Sequence, residues 1–243
     1  MQKQILNNPI VAHRGAWLEF DLPENSIASL VKAIEIGVGA TEFDVHMTAD
    51  HVLVVYHDYD YFGLNIEQTN YQDLLKFKLD NGENLPTVTD FFKIGLQQNK
   101  TKLIFEIKSS EISLQRTQQI VDEVVNLLDT KNCFENLEFI LFSWEACQYL
   151  KLKLPNYKVS YLNGDKTPEQ VKKANLDGID YGIKTYKKLE NYISESKQLG
   201  LYLNTWTVNT CEDLDFFLKY DFDMITTNKP QLFLDRYKEK QLI

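Results

Sequence analysis

The chain has 243 residues, 44% hydrophobic and 12% aromatic, with a net charge of −9. That composition supports a substantial core and excludes a disordered chain. The acidic balance excludes a general nucleic-acid or anionic-membrane binder, so an anionic substrate would need local positive charge. No apolar run reaches ~18 residues, so no membrane-spanning helix is expected. The start, MQKQILNNPIVAHRG, has no apolar leader segment. Cys133, Cys147 and Cys211 are an odd number without metal spacing, and read as reduced thiols of a cytoplasmic protein.

Pro9 to Ala12 is a short apolar run that ends on His13-Arg14-Gly15, a buried strand carrying polar groups at its C-terminal end. Pro23-Glu24-Asn25-Ser26 follows, with Asn25 or Ser26 placed as a helix N-cap. Ile27, Leu30, Val31 and Ile34 fall at helical spacing, and Gly37 or Gly39 ends that helix. Thr41–Asp58 then reads as a hairpin. Two strand-like halves flank Thr48-Ala49-Asp50-His51, a polar tetrad suited to a tight turn. A turn centred between Ala49 and Asp50 sets Asp44 opposite Val55 and Glu42 opposite His57, which brings Glu42, Asp44 and His57 to one face. A slip of one residue moves His57 to the other face. Val52–Tyr56 cannot be the next parallel strand, because a parallel neighbour needs a crossover of about a dozen residues. His46 and His51 read as turn or surface residues.

Residues 59–88 read as an irregular aromatic excursion over the mouth of the fold. After it, helices and strands alternate. Strands are expected at Leu103–Ile107, Glu138–Phe142, Lys158–Leu162, Gly178–Tyr181, Leu201–Val208 and Asp223–Thr226. Helices are expected at Asp90–Gln98, Ser113–Leu128, Glu145–Leu152, Glu169–Ala174, Lys188–Gln198, Glu212–Tyr220 and after Pro230. Eight βα units in this length are the pattern of a (β/α)₈ TIM barrel, here expected as a single domain over 1–243. Polar residues cluster at the C-terminal ends of its strands, where such barrels carry their active sites.

Glu106 and Lys108 share a face by period two. With Glu42 and Asp44, Glu106 makes an oxygen-only ligand set of the kind Mg²⁺ or Ca²⁺ takes. Arg14 and Lys108 add positive charge that suits a phosphate. His13 and His57 supply two proton-transfer groups titrating near neutrality. An acid and a base flanking a metal-bound phosphate are a plan for phosphodiester cleavage. Taken singly, each group has a plainer explanation: a solvated face for Glu42/Asp44, a capping histidine, a surface ion pair, a core tryptophan at Trp206. Independent causes of that kind would not gather them at one end of the strands.

The sequence resembles the glycerophosphodiester phosphodiesterase family over nearly its whole length. The resemblance is carried by His13-Arg14-Gly15, Pro23-Glu24-Asn25-Ser26, Glu42-Phe43-Asp44-Val45, His57-Asp58, Leu85-Pro86-Thr87, Glu106-Ile107-Lys108, Thr205-Trp206-Thr207-Val208-Asn209 and Ile225-Thr226-Thr227-Asn228-Lys229-Pro230. It implies hydrolysis of glycerophosphodiesters such as glycerophosphocholine or glycerophosphoethanolamine to glycerol 3-phosphate and an alcohol. It implies His13 and His57 as the acid/base pair, Glu42, Asp44 and Glu106 as ligands of Mg²⁺ or Ca²⁺, Arg14 and Lys108 on the phosphate, and Trp206 lining the substrate pocket. The chain departs from the family after His57-Asp58, where Tyr59-Asp60-Tyr61-Phe62-Gly63 is short, aromatic and without arginine. A lysophospholipase D-like enzyme and a non-catalytic phosphodiester-binding module are the other readings. The order of the steps also stays open: direct attack by water, or attack by the glycerol 2-hydroxyl through a cyclic phosphate.

Overall fold

Phenylalanines decide which way the first strands face. Phe43, Phe105 and Phe139 stand side by side on neighbouring strands, with ring centroids 5.0 and 5.3 Å apart. They are fully buried in the layer between the sheet and its helices. Because side chains alternate along a strand, sending these rings outward turns Glu42, Asp44 and Glu106 inward.

The computed structural model of the chain describes residues 8–128 and 135–241. The first half runs β1 (Ile10–Ala12), α1 (Ile27–Ile36), β2 (Ala40–Met47), β3 (Leu53–Val55), β4 (Asp60–Tyr61), β5 (Leu64–Asn65), α2 (Tyr71–Leu74), α3 (Val88–Gly95), β6 (Lys102–Ile107) and α4 (Leu114–Leu128). The second half runs β7 (Leu137–Leu141), α5 (Trp144–Lys153), β8 (Lys158–Tyr161), α6 (Pro168–Lys173), β9 (Gly178–Gly182), α7 (Ile183–Lys188), α8 (Asn191–Leu199), β10 (Tyr202–Trp206), α9 (Cys211–Lys219), β11 (Met224–Thr227) and α10 (Pro230–Gln241). Parallel pairing in the order β1-β2-β6-β7-β8-β9-β10-β11, with β11 returning to β1, closes the expected eight-stranded barrel. The expected elements appear within a few residues of their predicted bounds. Two short helices, α2 and α7, had no counterpart in the sequence reading. Cys147 and Cys211 are free thiols, while Cys133 and residues 1–7 lie outside the described residues.

Local chemistry sets the helix ends. Ser26 and Ser29 form a reciprocal cap on α1, as Thr87 and Asp90 do on α3 and Thr167 and Gln170 on α6. The barrel interior is filled by Val11, Ala40, Ile104, Ile140 and Leu162. Below them Glu138 accepts from Lys102 (2.7 Å) and Lys158 (3.3 Å). This pairing of buried charge closes the end opposite the strand C-termini.

The hairpin forms with a register one residue away from the expected one. Val45 faces Val55, His46 faces Val54 and Met47 faces Leu53. The reason is a three-residue turn in which His51 takes a left-handed φ of 65° and the Thr48 hydroxyl accepts from Val52 N–H at 2.9 Å. Alternation along β3 then splits its side chains. Leu53 and Val55 join the main core, while Val54 joins a separate cluster with Tyr61, Ile66, Leu74, Leu79 and Leu85. The excursion is therefore less irregular than expected. It contains the β4–β5 ribbon, a 3₁₀ turn at Ile66–Gln68, helix α2 and an apolar core of its own. It is tied down by Glu83, whose carboxylate accepts from Ile27 N–H (2.8 Å) and Ala28 N–H (3.1 Å) at the start of α1, where a helix favours negative charge.

Candidate active site

Glu42, Asp44 and Glu106 are buried at the strand ends, with Asp44 and Glu106 paired in register across β2 and β6. One carboxylate oxygen of each lies within 4.8 Å of the others. Asp44 is the most firmly held. Its Oδ2 accepts from Asn25 Nδ2 (2.9 Å), its N–H donates to Asn25 Oδ1 (3.2 Å), and its Oδ1 accepts from Lys108 Nζ (3.2 Å). Asn25 reaches it from a left-handed backbone with φ 54°. That conformation suits asparagine more than most residues, which gives Pro23-Glu24-Asn25-Ser26 a role beyond starting α1.

Such a cluster is electrostatically poor without a cation. Burial raises the Glu42 pKa well above the usual carboxylate range, with Asp44 and Glu106 adding to it. Burial and then Asp44 push Glu106 up to about 7 against the pull of Lys108. Burial also works against ionised Asp44, but Lys108 and Arg14 outweigh it and hold its pKa down. Oε1 of Glu42 is buried and has no hydrogen-bond partner among the described residues. A converging carboxylate trio without sulfur or nitrogen donors, one of its oxygens orphaned, fits a hard divalent cation.

Two side-chain cations face the cluster. Lys108 Nζ lies 3.2 Å from Asp44 Oδ1 and 2.9 Å from Glu106 Oε1. Arg14 donates through one terminal nitrogen to both oxygens of Glu24 (2.9 and 3.0 Å), and its Nε lies 3.3 Å from Asp44 Oδ2. The Arg14 N–H donates to Glu42 Oε2 at 2.9 Å. That bond depends on a left-handed turn, with φ 57° at Arg14 and 83° at Gly15. A Cβ on Gly15 would stand 2.4 Å from Ser29 Oγ and 2.8 Å from the Ser29 backbone carbon. Gly15→Ala is therefore expected to destabilise the fold by about 2 kcal/mol or more. Urea unfolding checks this, and a midpoint within error of the parent would contradict the reading of the turn.

The two histidines present the same arrangement from opposite sides. His13 Nδ1 lies 2.6 Å from Asn228 Oδ1, and His57 Nδ1 lies 2.7 Å from Asp58 Oδ1. Each oxygen accepts the Nδ1 proton, which leaves Nε2 with its lone pair. His13 Nε2 stands 3.9 Å from Glu42 Oε2. Burial and the charge of Arg14 hold the His13 imidazole down at about 4. His57 does not reach the pocket through the hairpin face as expected. In the observed register the ladder ends at Val55, Tyr56 N–H donates to Asp44 O at 3.0 Å, and His57 lies in the bend beyond. His46 is the second correction. It is buried rather than at a turn or surface. Its Nε2 donates to the His57 carbonyl at 3.1 Å, and its ring packs edge-on against Tyr59, 4.8 Å between centroids.

His13, Arg14, Glu42, Asp44, His57, Glu106, Lys108 and Trp206 thus border one cavity of about 120 Å³. Trp206 donates its indole N–H to Asp180 O (2.8 Å) and meets Phe142 edge-on at 5.7 Å. Three groups at or behind this cavity were missed in the sequence: His46, Asn228 as a partner of His13, and Asp180, which borders the cavity directly. Asn228 lay in a quoted motif and is 215 positions from its partner; Asp180 carried no local signal.

The sequence model of the Glycerophosphoryl diester phosphodiesterase family matches residues 13–232. The chain is 25% identical to a Glycerophosphodiester phosphodiesterase of Caldanaerobacter subterraneus subsp. tengcongensis, over 93% of this chain and 96% of that one. A crystal structure of a glycerophosphodiester phosphodiesterase from Parabacteroides distasonis superposes with a TM-score of 0.92 at 34% identity, covering 98% of this chain and 100% of that one. The fold is also that of an Oleispira antarctica phosphodiesterase solved with its product sn-glycerol-3-phosphate. There the TM-score is 0.80 at 19% identity, with 95% and 97% covered. With the match running from the first site histidine to the last helix, the chain belongs to the glycerophosphodiester phosphodiesterase family and is a phosphodiester-cleaving enzyme.

Proposed function

We propose that the enzyme hydrolyses glycerophosphodiesters such as glycerophosphocholine and glycerophosphoethanolamine to sn-glycerol 3-phosphate and an alcohol, with His13 and His57 as its acid/base pair. The observation that carries this reading is the shared cavity. Three buried carboxylates, two side-chain cations and two histidines with free Nε2 atoms border it together. Glu42, Asp44 and Glu106 would hold a Mg²⁺ or Ca²⁺ ion. When bound, that ion supplies Lewis-acid neutralisation of the phosphate charge. Arg14 and Lys108 orient the phosphate, exchanging part of their pairing with Glu24 and Glu106 for its oxygens. One imidazole, neutral at Nε2, takes the proton of the attacking hydroxyl or water; the other, having first taken up a proton from solvent at Nε2, gives it to the departing alkoxide. His46 positions His57 through its carbonyl, and Asn228 positions His13 through Nδ1.

An open cleft of about 670 Å³ continues outward past His57, bordered by Asp58, Tyr59, Lys108, Ser109 and Phe142. We assign the leaving alcohol to this cleft and residues 59–88 to a small insertion at the barrel mouth. Free Cys147 and Cys211 support a cytoplasmic setting, and no helix among the described residues is long and apolar enough to cross a membrane. A second reading, a lysophospholipase D-like activity, is favoured by one observation. Leu18 and Phe62 are 48% and 55% exposed beside a groove of about 420 Å³ shared with Trp17, Tyr56 and Leu79.

The test is release of glycerol 3-phosphate from glycerophosphocholine by the purified protein, after EDTA and after added Mg²⁺ or Ca²⁺. Metal-dependent release is expected. Silence on every glycerophosphodiester, with activity on a lysolipid panel, would move the assignment to the second reading.

A further inference from the structure

One group in the cavity has no part in the reaction above. Asp180 sits on β9, four strands around the barrel from β2, so it faces the carboxylate cluster across the cavity. It is 1% exposed, and its Oδ1 is buried without a hydrogen-bond partner among the described residues. Ile140, Leu162 and Trp206 border the cavity with it, and the neighbouring charges that act on it, Glu106 and Glu138, are of its own sign. The Trp206 N–H does not answer it, because that donor goes to the Asp180 backbone carbonyl. Asp180 is also outside the converging ligand trio, and none of the described ion pairs includes it. A buried carboxyl oxygen left unpaired is destabilising, and a hydroxyl entering the cavity would offset that.

The shape of the site says which hydroxyl. The cavity of about 120 Å³ that the carboxylates and Asp180 border together is small, and beside a phosphate it suits a short polyol rather than an acyl chain. The open side beyond His57 suits an alcohol that varies. A phosphate held between the carboxylates and Lys108 directs the glycerol chain toward β9. Its secondary hydroxyl stays near the phosphate, and its terminal hydroxyl reaches farthest across. We propose that Asp180 hydrogen-bonds the terminal hydroxyl of the substrate's glycerol moiety, and so makes the closed end of the site specific for glycerol. This deepens the glycerophosphodiester reading and rests on it.

The test compares two substrates on three proteins. One substrate is glycerophosphocholine. The other is its analogue with a methyl group in place of the terminal hydroxymethyl, which keeps the hydroxyl beside the phosphoester. The parent is expected to prefer glycerophosphocholine. Asp180→Leu is expected to lose about 10- to 100-fold in kcat/KM on glycerophosphocholine and less than about threefold on the analogue, so the preference collapses. Asp180→Asn keeps size and hydrogen-bonding capacity, and is expected to retain a preference for glycerophosphocholine; it also supplies the comparison if the leucine variant does not fold. Equal losses on both substrates in either folded variant would overturn the assignment and make Asp180 a structural or water-binding group. No loss on either would overturn it as well. A parent protein silent on glycerophosphocholine would instead sink the reading beneath it.

Discussion

Alanine at His13 or at His57 is expected to lower kcat on glycerophosphodiesters by about 10²–10⁴-fold, while thermal unfolding barely moves. Each ring is fixed at Nδ1 by an oxygen acceptor, Asn228 for His13 and Asp58 for His57. What is lost in either variant is an oriented Nε2. Little packing goes with it, since both rings border the cavity and are partly exposed. The double variant is expected to fall no further than the worse single, because the two groups act as a unit. Asn228→Ala keeps the ring and removes only its acceptor, so an intermediate loss of about 10- to 100-fold is expected. Steady-state kinetics beside a melting curve reads all four proteins. Near-parental turnover in either single histidine variant would end the acid/base assignment.

Metal removal has the second large effect. Stripped with EDTA, the protein is expected to lose glycerol 3-phosphate release, and to regain it with Mg²⁺ or Ca²⁺. The cluster also predicts a change in stability that does not depend on turnover. Glu42, Asp44 and Glu106 are buried within 4.8 Å of one another, so a cation that binds the folded chain alone stabilises it. At a hundredfold excess over Kd that is about 2.7 kcal/mol, a rise of roughly 5–10 °C in Tm for a chain of this size. Glu106→Gln removes one mutually repelling charge. It is expected to leave the metal-free protein at least as stable as the parent while abolishing most of the metal-induced rise. A parent whose Tm and activity ignore both EDTA and added metal would take the cation out of the site.

The barrel was legible because its signal is distributed: eight short apolar runs, each separated by a helix-length segment, leave little choice of topology. The carboxylates were legible because Phe43 between Glu42 and Asp44, and Phe105 beside Glu106, fix parity within a few residues. The hairpin was misread by one position because Thr48-Ala49-Asp50-His51 offers polar turn chemistry for a two- or a three-residue loop. The longer loop depends on His51 entering the left-handed region. His57 still borders one cavity with Glu42 and Asp44, for it lies beyond the ladder, where the register no longer controls its direction. Asn228 and Asp180 share a different difficulty: each matters through a partner or a space brought to it by barrel closure, and no short-range pattern marks them. His46 was missed with the hairpin register, since its partner is the His57 carbonyl just beyond the ladder.

β3 is a seam between two packing units. Leu53 and Val55 belong to the barrel core, while Val54 between them belongs to the excursion. The apolar contacts of residues 59–85 can therefore be rewritten without repacking the layer of phenylalanines that turns the carboxylates inward. Substitutions within that appendage would reshape the barrel mouth while the strands that carry the carboxylates keep their packing. The short aromatic Tyr59–Gly63 stretch touches both units: Tyr61 belongs to the excursion's core, while Tyr59 packs against His46 beside the site.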